Sequence, residues 1–172
     1  AVNEAAAYGG IMTGGAIQNN TGHRGAAVNI YSDDRDKRAI FTLEDDGLIT
    51  RNTGISANGN EAGGAVFVED NAAFHMIGGT VSANKASKGG GICIVDSALQ
   101  RGTAEYGTEF LMDGGVISGN RAGTGGGIYS FSNGSFLRSG KIINNTATYS
   151  GGGLYSEGKA LMVTALPIYI IP

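Results

Sequence analysis

Cysteine, proline, tryptophan and charged residues are all scarce in this chain of 172 residues. The one cysteine, Cys93, excludes an internal disulfide framework. The net charge is only −3 and basic residues form no stripe along the sequence, so the composition does not favour a nucleic-acid partner. The first residues have no basic segment followed by an apolar core, and they therefore do not resemble a secretory signal peptide.

Glycine, by contrast, is abundant. The chain has 31 glycines, while apolar residues still make up 41% of it. A disordered linker would lack that apolar share, so we interpret the glycines as turns between short buried runs. Because the repeats described next begin and end abruptly, we expect this sequence to be a piece of a longer protein.

One stretch recurs along the chain, and its clearest copy is MDGGVISGNRAGTGGGIYS at 112–130. Related copies occupy 12–30, 76–94 and 138–156, and a weaker copy occupies 53–68. The copies share a glycine pair, then I-S-x-N-x-A, then a glycine triplet before an apolar run. Recurrence of this kind is typical of solenoid proteins.

Two apolar positions of the repeat measure its period. The first falls at Ile17, Ile55, Val81, Ile117 and Ile142, and the second at Val28, Val66, Ile92, Ile128 and Leu154. Together they predict a period of about 26 residues that is twice expanded by about ten. The predicted insertions, 32–40 and 95–109, lie in the same turn of the repeat.

Each period contains three short runs with alternating apolar residues, F-x-M, G-x-I-S and G-I-x-I. Such runs, bounded by Gly or Asn, indicate β-strands. Three strands in each period predict an all-β protein, a right-handed parallel β-helix of about five coils. We expect 1–157 to form this domain and the apolar segment 158–172 to add a final strand or cap.

Alternation also predicts that like side chains stack on like in successive coils. The expected core residues include Phe74, Met76, Val81, Ile92, Ile94, Phe110, Met112, Ile117 and Ile128. An asparagine recurs three residues after the inward Ile or Val, at Asn20, Asn58, Asn84, Asn120 and Asn145. Since asparagine tolerates left-handed backbone and its amide can bond a neighbouring coil, we expect an asparagine ladder at this corner.

The G-G-x-I and I-S-G-N-x-A runs, with G-G-G-I following, resemble the short repeats of chlamydial-type polymorphic outer-membrane proteins. More widely, they resemble the passengers of bacterial autotransporters and other adhesin-like proteins with a pectin-lyase-like β-helix. The resemblance covers about residues 9–156. It implies an extracellular or cell-surface location, associated with an outer membrane or a wall, and a solenoid stalk that often serves adhesion.

The two insertions carry the first group of candidate binding residues. Stacking would place the bases of the insertions close together, so that Asp33 and Asp36 face Asp96, Arg101 and Tyr106 across a small recess. The alternative is that the insertions are tolerated decorations. No cofactor is predicted, although neighbouring carboxylates in the first insertion are also compatible with Ca²⁺.

An outward row of the third strand supplies the second group. It consists of Asn29, Phe67, Cys93, Tyr129 and Tyr155. An exposed row containing Phe67, Tyr129 and Tyr155 would stack on sugar rings or contact a partner protein. The alternative is that these residues have high strand propensity and are covered by adjacent loops. His23, His75 and Cys93 lack the sequence context of metal or catalytic sites and are expected to be structural.

These observations lead to two functional hypotheses. The first is a non-enzymatic surface or secreted segment that acts as a stalk and display scaffold, with a host or neighbouring-cell protein or glycan as partner. Its open coil ends would also permit end-to-end association. The second is a carbohydrate-active β-helix, a polysaccharide lyase or glycoside hydrolase, whose site lies in the two insertions.

Overall fold

The computed structural model describes residues 7–34, 36–55, 63–96, 107–132, 134–157, 161–163 and 168–171. Every regular element in these ranges is a β-strand, and every strand pair is parallel. The all-β part of the fold prediction is therefore confirmed.

Three parallel sheets organise the described residues, and in each the spatial order of the strands follows the chain. Sheet A contains β1 (Ala7–Met12), β5 (Arg38–Leu43), β9 (Ala72–Met76), β12 (Glu109–Met112), β16 (Gly134–Leu137) and β20 (Leu161–Val163). Sheet B contains β2 (Ala16–Gln18), β6 (Leu48–Thr50), β10 (Thr80–Ser82), β13 (Val116–Ser118), β17 (Gly140–Ile143) and β21 (Ile168–Ile171). Sheet C contains β4 (Val28–Tyr31), β8 (Val66–Glu69), β11 (Ile92–Val95), β15 (Ile128–Phe131) and β19 (Leu154–Ser156).

The chain visits sheets A, B and C in turn, and we call each such passage a rung. Short strands also pair between sheets B and C: β3 (Thr21–Gly22) with β7 (Thr53–Gly54), and β14 (Arg121–Thr124) with β18 (Thr146–Ser150). The apolar segment at the end of the sequence adds β20 to sheet A and β21 to sheet B.

The core lies between the sheets and consists of ladders of like side chains. In sheet A, the rings of Phe74 and Phe110 are stacked with centroids 5.6 Å apart, and Phe41 continues the row. In sheet B, Ile49, Val81, Ile117 and Ile142 lie in register and are completely buried. All nine core residues predicted above are buried, because alternation fixes which side of each strand faces inward.

The predicted register is wrong in the second rung. The residue aligned with Ile17 and Val81 is Ile49, whereas Ile55 follows β7 and is exposed. The turn before β6 is formed by Glu44-Asp45-Asp46-Gly47, which replaces the glycine pair of the other copies and so hides the repeat. The second set of apolar positions, from Val28 to Leu154, is in register as predicted.

This correction also changes where the residues that expand the repeat lie. The rungs are 32, 32, 36 and 25 residues apart, measured between equivalent asparagines. The first expansion is divided between 32–37, which joins β4 to β5, and 55–65, which joins β7 to β8. The second lies at 96–108, as predicted, between β11 and β12.

The asparagine ladder is present with one correction. Its members are Asn20, Asn52, Asn84, Asn120 and Asn145, so Asn52 takes the place predicted for Asn58, which lies outside the described residues. The Oδ1 of each asparagine from Asn52 onward accepts from both the backbone N–H and the Nδ2 of the asparagine one rung earlier, at 2.9–3.1 Å. The left-handed backbone belongs to the residue before each ladder asparagine.

Candidate functional site

Three polar side chains meet on the outer face of sheet A. Arg38 is the first residue of β5 and directly follows the loop 32–37, while Glu109 begins β12 and directly follows the loop 96–108. His75 lies on β9, between these two strands. Strand alternation turns His75 outward, because its neighbours Phe74 and Met76 are buried in the core.

Glu109 is the centre of this cluster, which we call the Arg38–His75–Glu109 cluster. Its Oε2 lies 3.2 Å from Nη2 of Arg38, and its Oε1 lies 3.0 Å from Nε2 of His75. All three side chains are partly buried, with exposed fractions of 18% for Arg38 and 25% for the other two. The hydrogen bond from His75 and the charge of Arg38 lower the pKa of Glu109, although burial opposes them. Glu109 is therefore held as a carboxylate.

Arg38 bridges two rungs and leaves part of its guanidinium unused. Its side chain reaches from β5 to Glu109 on β12 across Ala73, which is completely buried. The Nε and Nη2 atoms of Arg38 are both buried, and neither makes a hydrogen bond with the described residues, although Nη2 lies 3.2 Å from Oε2 of Glu109. A buried donor without an acceptor costs free energy.

The chemistry of the cluster follows from its groups. A carboxylate that accepts a hydrogen bond from Nε2–H fixes the orientation of an imidazole. In that tautomer, Nδ1 is the nitrogen that can accept a proton. The neighbouring guanidinium suits a carboxylate or another oxygen-rich anion. The cluster can therefore bind an acidic group beside a potential base.

The predicted recess is only partly described. Asp33 and Asp36 are exposed on the first insertion, where Asp34 lies 3.5 Å from the Nζ of Lys37. Asp96 is 2% exposed, and its Oδ2 lies 3.4 Å from the backbone N of Thr108, at the base of its loop. Arg101 and Tyr106 lie outside the described residues, so a binding role for the two loops stays a prediction.

The predicted aromatic row on sheet C exists, and for Phe67 and Tyr129 the structure shows the alternative in which adjacent segments cover the row. Phe67 and Tyr129 are each only 5% exposed and form a second apolar cluster with Cys93, against which Tyr155 packs. The rings of Tyr129 and Tyr155 are stacked with centroids 5.5 Å apart. The residues between sheets B and C cover the row, as that alternative expects.

Charged side chains form that cover. Arg24 lies over the ring of Phe67 at 5.9 Å and also bonds Glu69, and Lys88 lies 4.9 Å from the ring centroid of Tyr129. The hydroxyl of Tyr129 donates to Glu157 at 2.7 Å, and burial together with that carboxylate raises the pKa of Tyr129. These contacts hold Phe67 and Tyr129 under the side chains of Arg24 and Lys88.

No protein-family model, curated protein or solved structure matches this chain. The function therefore has to be argued from the geometry.

The two histidines and the cysteine differ in their surroundings. His75 belongs to the Arg38–His75–Glu109 cluster, which sequence reasoning missed because Arg38 and Glu109 lie far apart in the chain. The available signal was alternation, which places His75 outside the core.

His23 Nδ1 lies 3.0 Å from the carbonyl oxygen of Ile55. Cys93 is buried, and burial raises its pKa to about 12, so it remains a thiol at neutral pH.

The described part of the chain contains no candidate metal site and no candidate membrane-spanning helix. No three His, Cys, Asp or Glu side chains there are grouped so that they would hold a metal ion. The same residues include no helix long and apolar enough to cross a membrane.

Proposed function

We propose that the chain is a segment of a right-handed parallel β-helix that serves as a stalk and display scaffold of a secreted or surface protein. The observation that carries this proposal is the contrast between the two sides of the strands. Inward positions repeat the same ladders from rung to rung, whereas the loops and the outward positions other than the aromatic row on sheet C change. A sequence that preserves only its core specifies a scaffold, and binding then resides in the exceptions on its surface.

The ladders explain why such a segment would be stiff. Adjacent rungs are joined by backbone hydrogen bonds in three sheets and by the asparagine ladder at one corner. Ring stacking between Phe74 and Phe110 adds a further contact in the core. A rigid array of this kind would fix the strand ends from which the loops 32–37 and 96–108 leave, and so the places where a protein or glycan on a neighbouring cell would meet them.

The location of the protein forms part of the same proposal. The repeats resemble those of polymorphic outer-membrane proteins and autotransporter passengers, which supports an extracellular or surface-associated role. Labelling intact and permeabilised source cells with an antibody against this segment tests it. Equal signals from the two preparations are expected, and a signal that requires permeabilisation would overturn the proposal.

The Arg38–His75–Glu109 cluster favours a second candidate function, a polysaccharide lyase. Hydrolysis of a glycosidic bond ordinarily requires two carboxyl groups, and Glu109 is the only one in this cluster among the described residues. Proton abstraction fits better. Arg38 would pair with the carboxylate of a uronate and His75 would take the proton from the neighbouring carbon. The electron pair released would form a carbon–carbon double bond as the glycosidic oxygen leaves and is protonated by water.

Ultraviolet absorbance of the unsaturated product tests this candidate with polyuronates as substrates. His75→Gln and Glu109→Gln should abolish product formation. Arg138→Gln, which removes an exposed cation elsewhere, should leave it intact. Absence of product from the unmodified chain, or equal activity of all three variants, would exclude the lyase.

A further inference from the structure

A second position recurs beside the asparagine ladder, at the corner between sheets B and C. It is the residue directly before each ladder asparagine, and in the first four rungs its N–H donates to the next rung at 3.0–3.4 Å. We call it the corner position. All its occupants are exposed, with a φ between 54° and 63°. They are Asn19, Arg51, Ala83, Gly119 and Asn144.

The fold does not require asparagine at the corner position. Arginine, alanine and glycine adopt the same left-handed backbone there in the three rungs between Asn19 and Asn144. Asparagine tolerates that conformation well, which is a sufficient reason for each of these two residues taken alone. It does not explain the residue two positions later, which is a threonine in both cases.

The two threonines are as free of structural tasks as the two asparagines. Thr21 and Thr146 are exposed and lie at the two ends of one row. The members between them are Thr53, Lys85 and Arg121. Within the described part of the chain, the hydroxyls of Thr21 and Thr146 and the amides of Asn19 and Asn144 make no hydrogen bonds.

The outer two rungs therefore each present an exposed asparagine followed, two residues later, by an exposed hydroxyl. Asn-x-Thr, where x is not proline, is the acceptor sequence of N-linked glycosylation. We infer that Asn19 and Asn144 are N-glycosylation sites. The inference rests on the proposed secreted or surface role, because N-linked glycans are typical of chains that face the outside of a cell.

The reaction requires an amide that the fold does not use. Nδ2 of the asparagine would bond the anomeric carbon of a nucleotide-linked or lipid-linked sugar phosphate. The bond from that carbon to the phosphate oxygen breaks, the phosphate leaves with the electron pair, and the amide loses one proton. Ladder asparagines such as Asn120 and Asn145 are unsuitable, since their Nδ2 atoms donate to buried carbonyl groups.

The corner position would remain exposed in a longer stack. Arg51, Ala83 and Gly119 have rungs on both sides and are exposed nonetheless. The site at Asn19 is therefore compatible with further rungs before it. Asn19 and Asn144 are four rung steps apart, so their glycans would leave the same corner about 19 Å from each other.

A third sequence of this type, at 133–135, does not belong to the inference. Asn133 lies outside the described residues. Ser135 is only 1% exposed, and its hydroxyl lies 2.8 Å from Oγ of Ser130 and 3.2 Å from Oγ of Ser132. This buried group is not presented to solvent as the hydroxyls of Thr21 and Thr146 are.

Mass spectrometry of the protein purified from its source cells tests the inference, with electron-transfer fragmentation to locate the sugar. Asn19 and Asn144 should each carry a hexose or an N-acetylhexosamine. Thr146→Val removes the hydroxyl and keeps the shape of the side chain, so it should abolish modification of Asn144 and leave that of Asn19 unchanged. Thr146→Ser should retain both.

The matched control is Thr53→Val, which removes a hydroxyl from the same row in a rung whose corner position is Arg51. It should change neither site. Circular dichroism establishes that the variants are folded.

Three outcomes would overturn the inference: an unmodified Asn19 or Asn144 in the protein from source cells, a sugar at Asn144 that persists in Thr146→Val, or a sugar attached to threonine instead. The surface role fails separately. A protein that is labelled on intact cells but carries no sugar overturns only this inference. A protein that carries the sugars but is labelled only after permeabilisation overturns only the proposed surface role.

Discussion

At the scale of single residues, two neighbouring positions form the corner between sheets B and C, and each has its own structural role. The ladder asparagine is buried in most rungs, and its amide donates to carbonyl groups of its own and the preceding rung. The residue before it adopts left-handed backbone, with φ of 60° at Asn19, 54° at Arg51 and 54° at Ala83. The first position joins the rungs and the second makes the bend.

Replacing a ladder asparagine should therefore destabilise the protein strongly. Asn84→Ala removes the acceptor of the Asn52 N–H and the donor to Ile49, both buried, and should lower the free energy of unfolding by about 3 kcal/mol. Urea denaturation measures the change. Asn144→Gly is the control, since Asn144 is exposed at a φ of 56° and glycine accepts that conformation. Equal losses in the two variants would contradict a structural role for the ladder.

Two glycines with nearly the same φ should respond differently to alanine. Gly119 has a φ of 63°, and a Cβ there would come no closer than 3.9 Å to Ala83. Gly119→Ala should therefore cost only the conformational penalty of about 1 kcal/mol. Gly125 has a φ of 65°, but a Cβ would lie 2.4 Å from the carbonyl oxygen of Ile128. Gly125→Ala should cost roughly 3 kcal/mol or more. Thermal or urea unfolding of both variants checks the order, which a reversed ranking would refute.

At the scale of strands and turns, the sequence predicts the core well and the surface poorly. Alternation and stacking identify Phe74, Ile117 and their neighbours because the inner environment is the same in every rung. Ile55 is misassigned because T-G-I-S resembles the repeat while the true strand, Leu48–Thr50, follows an acidic turn. The register of a strand depends on its pairing partner, and a local pattern cannot choose between two similar stretches.

The Arg38–His75–Glu109 cluster was hidden for a related reason. Successive members are separated by at least 34 residues in the sequence and meet only when β5, β9 and β12 are aligned. The exposure of the aromatic row on sheet C also depends on residues that are distant in the sequence, since Arg24 lies over Phe67 and Lys88 lies over Tyr129. Sequence alternation shows which residues face outward but not which of them a neighbouring turn covers.

The lowered pKa of Glu109 makes the cluster sensitive to acid. A carboxyl group whose pKa is lower in the folded than in the unfolded protein stabilises the fold above its unfolded pKa, about 4.3 for glutamate. That contribution is lost as the pH falls through the lower folded pKa. Glu109→Gln should therefore be less stable than the unmodified chain at pH 7 and approach it near pH 3. Urea unfolding across this range measures the difference.

Asp113→Asn is a suitable control for this experiment. It removes a carboxylate that contacts the exposed Arg138 at 3.5 Å. Such exposed pairs contribute little, so its stability should follow that of the unmodified chain at both pH values. If the Glu109→Gln variant is less stable than the unmodified chain by the same amount at pH 7 and pH 3, the carboxylate charge does not contribute to the stability of the fold.

At the scale of the whole molecule, stability should vary along the stack. Each rung contacts only its neighbours, so an inner rung is bonded on two sides and an outer one on fewer. Amides of Val116–Ser118 should exchange hydrogen more slowly than those of Ala16–Gln18, where Ile17 is only partly buried. Hydrogen–deuterium exchange measured by mass spectrometry gives the comparison. Uniform protection of both segments would mean that the stack unfolds as a single unit.

The hydrogen bonds between rungs run along the stack, and this direction has a mechanical consequence. A pull applied to the two chain ends loads the outermost pairing first, and the rung beneath it bears the force only after that pairing has opened. Rungs would therefore detach in sequence, each releasing the 25–36 residues that separate neighbouring positions of the asparagine ladder. Extended chain spans about 3.3–3.6 Å per residue, many times the rung spacing. Under tension, the segment would lengthen in steps and dissipate work.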